Sequence, residues 1–465
     1  MSTIAETRFD ETALTALERS FRGQLVRPGD STYDEHRRIW NGSIDRFPAL
    51  IARCTGVADV VAAVRFARDA GLLVAVRGGG HSFPGLSVCD GGIVIDLGPM
   101  KGIRVDPEAR TARAQAGVLL GELDRETQAF GLAVPAGIVT HTGLAGLTLG
   151  GGLGWLMRKH GLTIDQLLAV DLVTADGELV RASETENPEL FWGVRGGGGN
   201  FGIVTEFEFR LNPVGPNVVA GPIFWAMEES PRVMRFYRDW IAEVPDELTT
   251  IVIHRRAPEL PVVPRELHGV HVVGVACCYA GPVEDGEKVV APLRRFGSPL
   301  LDLCTPKPFV EHQAMFDPAL PHGWHYYFRS CDVAELTDDV IDITVDHSLR
   351  MKSPVNTFPI FQLGGAVARV GEHETAFGGR SAGHTFNVNA TTVTREGFDE
   401  EREWSRGLWS ALEPHHTSVY VNFLMEEGEE RIRQAYGPEK YDRLRALKRR
   451  YDPDNLFRLN QNIAP

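Results

Sequence analysis

Apolar positions first follow a helical rhythm. Leu14, Leu17 and Phe21 recur at helical spacing, and Val57, Val60, Val61 and Val64 line one face of a helix expected over 57–70, closed by Gly71. The period then shortens. Residues 73–76 and 93–97 are apolar runs of strand length bounded by glycines. Residues 105–115 alternate and predict one strand, and 119–130 predict a helix ended by Gly131. Residues 168–175 and 179–182 predict a hairpin turning at Asp176 and Gly177. A short helix is expected over 187–192, and VTEFEFRL alternates as an antiparallel strand should.

Past residues 213–216 the texture changes. Apolar β-type segments at 250–254 and 270–279 mix with helical patterns at 231–241 and 338–349. Gly364 and Gly365, inside PIFQLGGAVARV, predict a bulged strand or a close approach to another segment. The tail pattern is one charged amphipathic helix over 427–450, a turn at YDPDNLF and a final short segment, RLNQNI. Helix, strand, glycine-rich loop and strand in succession fit an α/β or α+β fold.

Three glycine clusters interrupt the first half: VRGGGHSFPGLSVCDGGIVIDL at 76–97, PAGIVTHTGLAGLTLGGGLGWLMRKHGLTIDQL at 135–167, and RGGGGNFG at 195–202. One such run is usually a tight turn. Three beside apolar strands, one of them delivering His81, suggest backbone amides that grip phosphate oxygens. Other chemistries lack an anchor. Gly197 to Gly202 has the letters of a dinucleotide fingerprint but leads into a strand rather than a helix. No Walker A or HExxH pattern occurs, and Gly379 to Gly383 spells GxSxG without the strand and helix a nucleophile elbow needs. His322 and His325 are spaced like metal ligands, but a lone pair among aromatics reads as structural. A large anionic dinucleotide held by several loops remains, and FAD suits it. His81 is then either a covalent attachment point for the flavin or a loop histidine bonded to a backbone carbonyl.

Composition narrows the setting. The 465 residues allow two domains, and 43% hydrophobic with 24% charged residues supports a sizeable core. A net charge of -14 disfavours nucleic-acid and anionic-membrane partners. No apolar run reaches the roughly 18 residues that span a bilayer, and the first residues lack a signal-peptide pattern, so a cytoplasmic location is expected. Six cysteines without a CxxC pair read as reduced thiols.

Taken together, the three glycine-rich stretches and the tail YDPDNLFRLNQNI resemble the berberine-bridge-enzyme-like oxidases of the vanillyl-alcohol-oxidase superfamily, bacterial natural-product members in particular. The resemblance implies an α+β fold: a PCMH-type FAD-binding domain over 1–215 in two subdomains, a substrate domain of antiparallel sheet covered by helices over 216–415, and a return to the first domain over 416–465. It implies an 8α-histidyl bond at His81. Arg77, Gly78, Gly79, Gly80 and Ser82, with Gly85 nearby, would hold the pyrophosphate. Gly137, Thr142, Gly143, Gly146, Gly152, Gly154 and Trp155 would line the cofactor, as would Asn200, Gly202, Ile203 and Val204, with Asn460 or Asn462 near the ring. There is one departure. Many relatives attach the flavin a second time through a cysteine; here that position is Val139, so a single link is expected.

On the substrate side, Tyr420 and Asn422 match a Y-x-N segment whose tyrosine helps deprotonate substrate in several members; otherwise Tyr420 is a residue at the domain seam. Thr142 matches a position on the oxygen side, or packs beneath the ring. Arg329 either faces the pocket or serves an ion pair. The function implied is hydride transfer from an alcohol, amine or activated C–H of a small organic substrate to flavin N5, with reoxidation by O2. An oxygenating enzyme of a polyketide-type pathway and an O2-insensitive dehydrogenase stay open. The expected partners are a small molecule and O2, with no nucleic acid and no membrane, in a monomer or homodimer.

Overall fold

The computed structural model describes residues 10–425 and 428–465. Its first sheet is ordered Gln24–Val26, Leu50–Arg53, Ile93–Asp96, Val74–Arg77, and the last three strands run parallel. The helix Val57–Asp69 makes the crossover to Val74–Arg77 and buries Val60, Ala63 and Val64. This arrangement leaves the loop after Val74–Arg77, with its three glycines and His81, at the end of a buried strand.

A second, five-stranded antiparallel sheet is ordered Ile103–Asp106, Thr111–Gln115, Ile203–Arg210, Leu167–Val173, Leu179–Ser183. The single strand expected over 105–115 is in fact a hairpin. The Asp106 carboxylate accepts the N–H groups of Glu108 and Ala109, and Arg110 turns through a φ of 51°. This side-chain turn reverses the chain without any glycine.

The third sheet has nine strands and draws on residues 217 to 418. One face lies under the helices Ser230–Ile241, Val283–Arg294, Asp338–Ser348 and Phe398–Leu412, packed through Val219, Val275, Ile360, Phe386 and Val388. The other face turns toward the glycine loops. The strand Thr357–Gln362 stops short of Gly364 and Gly365, which lead instead into a short helix, Ala366–Arg369. At Gly365 a Cβ would overlap the carbonyl oxygen of Arg158, so the pair marks a close approach.

The charged tail helix is two helices, Glu429–Tyr436 and Pro438–Tyr451. Gly437 takes a φ of 73°, and Pro438 has no N–H with which to continue the first helix. The second helix carries Lys448, fully buried, whose ammonium reaches the Asp452 carboxylate at 2.6 Å and the carbonyls of Asn200 and Phe457 at 2.9 Å. Asn200 in turn receives the N–H of Ile463 and donates to the carbonyl of Gln461. The chain end is thereby fastened onto the third glycine cluster. Among the described residues no helix is long and apolar enough to cross a membrane.

Candidate functional site

A cavity of about 360 Å³ lies where the three glycine clusters meet the inner face of the nine-stranded sheet. Its floor is main chain. Among the described residues, the N–H groups of Gly78, Gly79, Gly80, His81 and Ser82 donate to no protein acceptor. Five successive unclaimed amides form a concavity suited to an anion. The loop is held against its neighbour by contact of backbone on backbone: a Cβ at Gly79 would overlap the Cα of Gly143, and one at Gly143 would overlap the nitrogen of Gly79. Gly146 and Gly199 behave differently. Both line the cavity, and a Cβ on either would meet nothing within 4 Å, so side chains there would fill only cavity space. A cradle of bare amides bounded by glycines that keep it empty fits a phosphate-bearing cofactor with a flat ring.

His81 stands at the wall. Its Nε2 lies 2.7 Å from Nδ1 of His141, and its Nδ1 lies 3.5 Å from the Thr142 hydroxyl. Trp40 stacks on its ring, centroids 4.8 Å apart and planes within 19°, and stacks on Tyr326 on its other side. Burial, then the neighbouring rings of His141 and His322, hold the His81 imidazole well below the ordinary histidine range, so it is neutral at pH 7. His141 and His322 are also pushed down, chiefly by burial. Nitrogens of all three lie within 4.8 Å of one another. The 2.7 Å contact fits a shared proton better than an ion, because two nitrogens bound tetrahedrally to zinc at about 2.1 Å would sit roughly 3.4 Å apart. His325 takes no part: its ring meets Phe398, so His322 and His325 do not pair.

Tyr420 is buried. Its hydroxyl oxygen accepts the N–H of Gly152 at 3.0 Å and of the Asn422 amide at 2.9 Å, while Asn422 also donates to the carbonyl of Leu147. Burial raises the Tyr420 phenol above its usual range, opposed by the donors from Gly152, Asn422 and Leu153. The phenol is therefore protonated at neutral pH. No protein acceptor takes its hydrogen among the described residues.

Of the residues proposed from sequence, Gly78, Gly79, Gly80, His81, Ser82, Gly137, Thr142, Gly143, Gly146, Gly202, Ile203, Val204, Tyr420, Asn422 and Asn460 line this one cavity, as does Val139. Others support it from behind. Arg77 is turned away into a buried ion pair with Asp96 at 2.7 Å. Gly85 packs on Ile44, Gly152 on Thr163, and Gly154 on the Ala136 carbonyl. Trp155 is buried against His312 and Phe316. Asn200 is occupied with the tail, and the buried Asn462 amide oxygen, off the cavity, has no hydrogen-bond partner. Arg329 lies outside the cavity. Phe328, one residue earlier on the strand His325–Val333, points in, so Arg329 points out, its guanidinium 3.8 Å over the ring of Trp409. The GxSxG letters carry no nucleophile: Ser381 is exposed on a turn, and its neighbour Arg380 forms a buried pair with Asp165.

Sequence reasoning missed Trp40, His141 as the partner of His81, and the sheet residues Thr357, Asn387 and Asn389, all near or on the cavity wall. No local pattern marked them; Trp40 and Tyr326 meet only because Asn41 ties the two halves, its amide donating to the carbonyls of Phe83 and Tyr326.

Known proteins share this arrangement. Residues 48–183 match the family model described as FAD binding domain, and residues 419–464 the one described as berberine and berberine like. An FAD-linked oxidoreductase of Dictyostelium discoideum is 33% identical over 451 residues, covering 96% of this chain and 95% of its own. The (R)-6-hydroxynicotine oxidase of Paenarthrobacter nicotinovorans is 32% identical over 473 residues, covering 96% and 97%. The crystal structure of 6-hydroxy-D-nicotine oxidase from Arthrobacter nicotinovorans superposes with a TM-score of 0.87 at 31% identity, covering 98% of this chain and all of that one. The BBE-like 1 protein of Physcomitrella patens reaches the same TM-score at 24% identity, a likeness of fold.

Proposed function

The chain belongs to the berberine-bridge-enzyme-like FAD-linked oxidases of the PCMH-type superfamily, and from that premise we propose that it holds FAD through a single covalent bond at His81 and oxidises an alcohol, amine or activated C–H of a small organic molecule, with O2 as electron acceptor. The observation that carries this reading is a neutral His81 set beside five unclaimed amides, with His141 at 2.7 Å from its Nε2. When bound, FAD accepts a hydride from substrate and passes two electrons to O2, which leaves as peroxide.

The chain's own residues do the rest. The amides of Gly78 to Ser82 would hold pyrophosphate oxygens, and Gly146 and Gly199 would leave room for the cofactor. With Nε2–H of His81 donated to Nδ1 of His141, Nδ1 of His81 keeps its lone pair and would be the nitrogen that holds the flavin's 8α carbon, an 8α C–H and the imidazole N–H being lost as two protons and two electrons that O2 takes up as peroxide. Trp40 fixes the ring plane. Val139 offers no thiol, which supports one link rather than two. Tyr420 would bond the substrate heteroatom and, once its own proton has passed to solvent, the two N–H donors on its oxygen would hold the phenolate that takes the proton the substrate loses with its hydride. Thr142 lines the same wall and is assigned to the oxygen side.

The test is direct. Acid-precipitated protein should keep its yellow colour and in-gel fluorescence, and His81→Ala should lose both; a wild-type protein that releases all its flavin into acid would overturn the attachment. Substrate turnover in air should release one peroxide per substrate oxidised.

A further inference from the structure

The inner face of the nine-stranded sheet contributes Phe328, Thr357, Pro359, Phe361, Asn387 and Asn389 to the cavity. They share a face by register: Phe328 pairs across from Asn389, and Thr357–Gln362 lies beside His384–Thr392. Three of them carry a polar group that the protein does not satisfy. The amide oxygens of Asn387 and Asn389 and the Thr357 hydroxyl are buried without any hydrogen-bond partner, in residues only 6%, 4% and 7% exposed. A buried polar group left unpaired is costly. The two amide oxygens and the hydroxyl are turned away from the open space, so each asparagine shows the cavity its amide nitrogen, which among the described residues donates to no protein acceptor; two such donors on one wall are poised for a ligand or for the water it displaces.

The remaining chemistry restricts that ligand. Among the described residues, no Asp, Glu, Lys or Arg lines the cavity. A charged substrate would enter without a counter-ion, at a steep desolvation cost. Arg329, which could have met an acid, lies on the opposite face of the sheet. Around the three polar groups stand Phe83, Phe316, Phe328, Phe361, Phe423 and Leu320, which favour an apolar ring skeleton.

We propose that Asn387 and Asn389 set the enzyme's specificity, donating their amide N–H groups to the hydroxyl or carbonyl oxygens of an uncharged substrate built on an apolar ring. This rests on the flavin reading only for which substrate atom reacts; recognition by the sheet does not depend on the covalent bond.

The holoenzyme is titrated without O2 with four probes: 3,4-dihydroxybenzyl alcohol, benzyl alcohol, 4-carboxybenzyl alcohol and cellobiose. Binding is read from the perturbed flavin spectrum and from the shift in melting temperature. The dihydroxy probe should bind at least about tenfold more tightly than benzyl alcohol or the carboxylate, the scale of one satisfied buried donor. Asn387→Leu and Asn389→Leu should each remove most of that preference, leave benzyl alcohol affinity within about threefold, and keep or raise the melting temperature, because an unpaired polar group has gone. The proposal is overturned if the Leu variants keep the hydroxyl preference, if the carboxylate binds as tightly as the neutral probe, if cellobiose binds best, or if no hydroxylated probe binds. A protein that purifies without flavin would sink the flavin reading instead, and the melting shifts with the same probes would still decide this one.

Discussion

Around Gly79 and Gly143 the chain offers its backbone to the cavity; around Asn387 and Asn389 it offers side chains. The first wall is made by removing Cβ atoms so that two loops can touch and their amides can face inward. The second is made by keeping polar side chains that no neighbour satisfies. A backbone wall reads any phosphate-bearing cofactor and admits almost no substitution. A side-chain wall can be rewritten residue by residue without moving the scaffold. This is the physical reason one fold can keep its cofactor while its substrate changes. The largest expected effect tests the first half of the contrast. Gly79→Val drives a Cβ into the main chain of Gly143, which cannot rotate away, at a cost above about 3 kcal/mol. Flavin content, measured as the ratio of flavin to protein absorbance, should fall to near zero, whereas Phe361→Leu on the opposing wall should leave that ratio unchanged. Equal flavin loss in both would erase the distinction.

The next effect concerns how the backbone wall is braced. Lys448 and Asp452 are fully buried and hold the third glycine cluster to the chain end. Lys448→Met leaves the Asp452 carboxylate without its cation, which should destabilise the protein by about 3–5 kcal/mol. Chemical denaturation checks this, and limited proteolysis should show early cleavage within the last residues. A loss under about 1 kcal/mol would mean the pair is dispensable.

The two walls also differed in how far the sequence revealed them. Glycine is a residue whose absence of side chain is its message, so the three clusters and His81 stood out in the letters, and the resemblance narrowed them to the loops at 78–80, 143–146 and 202–204, which border the cavity. Tyr420 and Asn422 came through a motif. The sheet wall left no such mark. In the strand His384–Thr392 all nine residues are buried, because helices cover one face and the cavity wall the other; Thr385, Asn387 and Asn389 alternate with Phe386, Val388 and Ala390, a pattern that reads as an ordinary solvated face and gives no sign that the polar side is buried. Arg329 was misplaced for the same reason: inside or outside depends on strand parity, set by a partner strand far along the chain. The hairpin at 105–115 hid because an aspartate, not a glycine, makes its turn. Lys448 went unmarked within the charged helix expected over 427–450, and only its buried acceptors single it out.

A smaller, pH-dependent effect separates the halves again. Burial pushes His254 and His384, both on the nine-stranded sheet, down to about 3. Unfolded, each would take a proton near pH 6.5, so the unfolded chain binds more protons below that pH. Their contribution to stability is thus present above pH 6.5 and lost as pH falls toward 3, at about 1.4 kcal/mol per pH unit per histidine. Asp332, raised to about 6 by burial, acts in the opposite sense over part of this range, so the measurement is a difference. The stability of wild type minus that of His254→Gln, from urea unfolding between pH 7 and 4.5 (about two units below the unfolded histidine value), should decline steadily on acidification. A flat difference would mean that this histidine takes up no extra proton on unfolding.

The smallest effect on stability is expected at Val139, where the two kinds of wall meet. Its side chain lines the cavity beside the glycine loops and packs with Leu153 and Ala133. Valine and cysteine are close in volume, so Val139→Cys should change stability by less than about 1.5 kcal/mol. Its chemical effect can nevertheless be large. A thiol at this position would line the same cavity as His81, at the place where the resemblance implies a cysteinyl link. If the glycine loops alone set the cofactor's place, the double variant His81→Ala, Val139→Cys should recover acid-stable flavin that His81→Ala lacks, as read by intact-protein mass. If flavin stays noncovalent in the double variant while Val139→Cys folds normally, then His81 and its partners Trp40 and His141 fix the ring's position, and the backbone wall binds the cofactor without registering it.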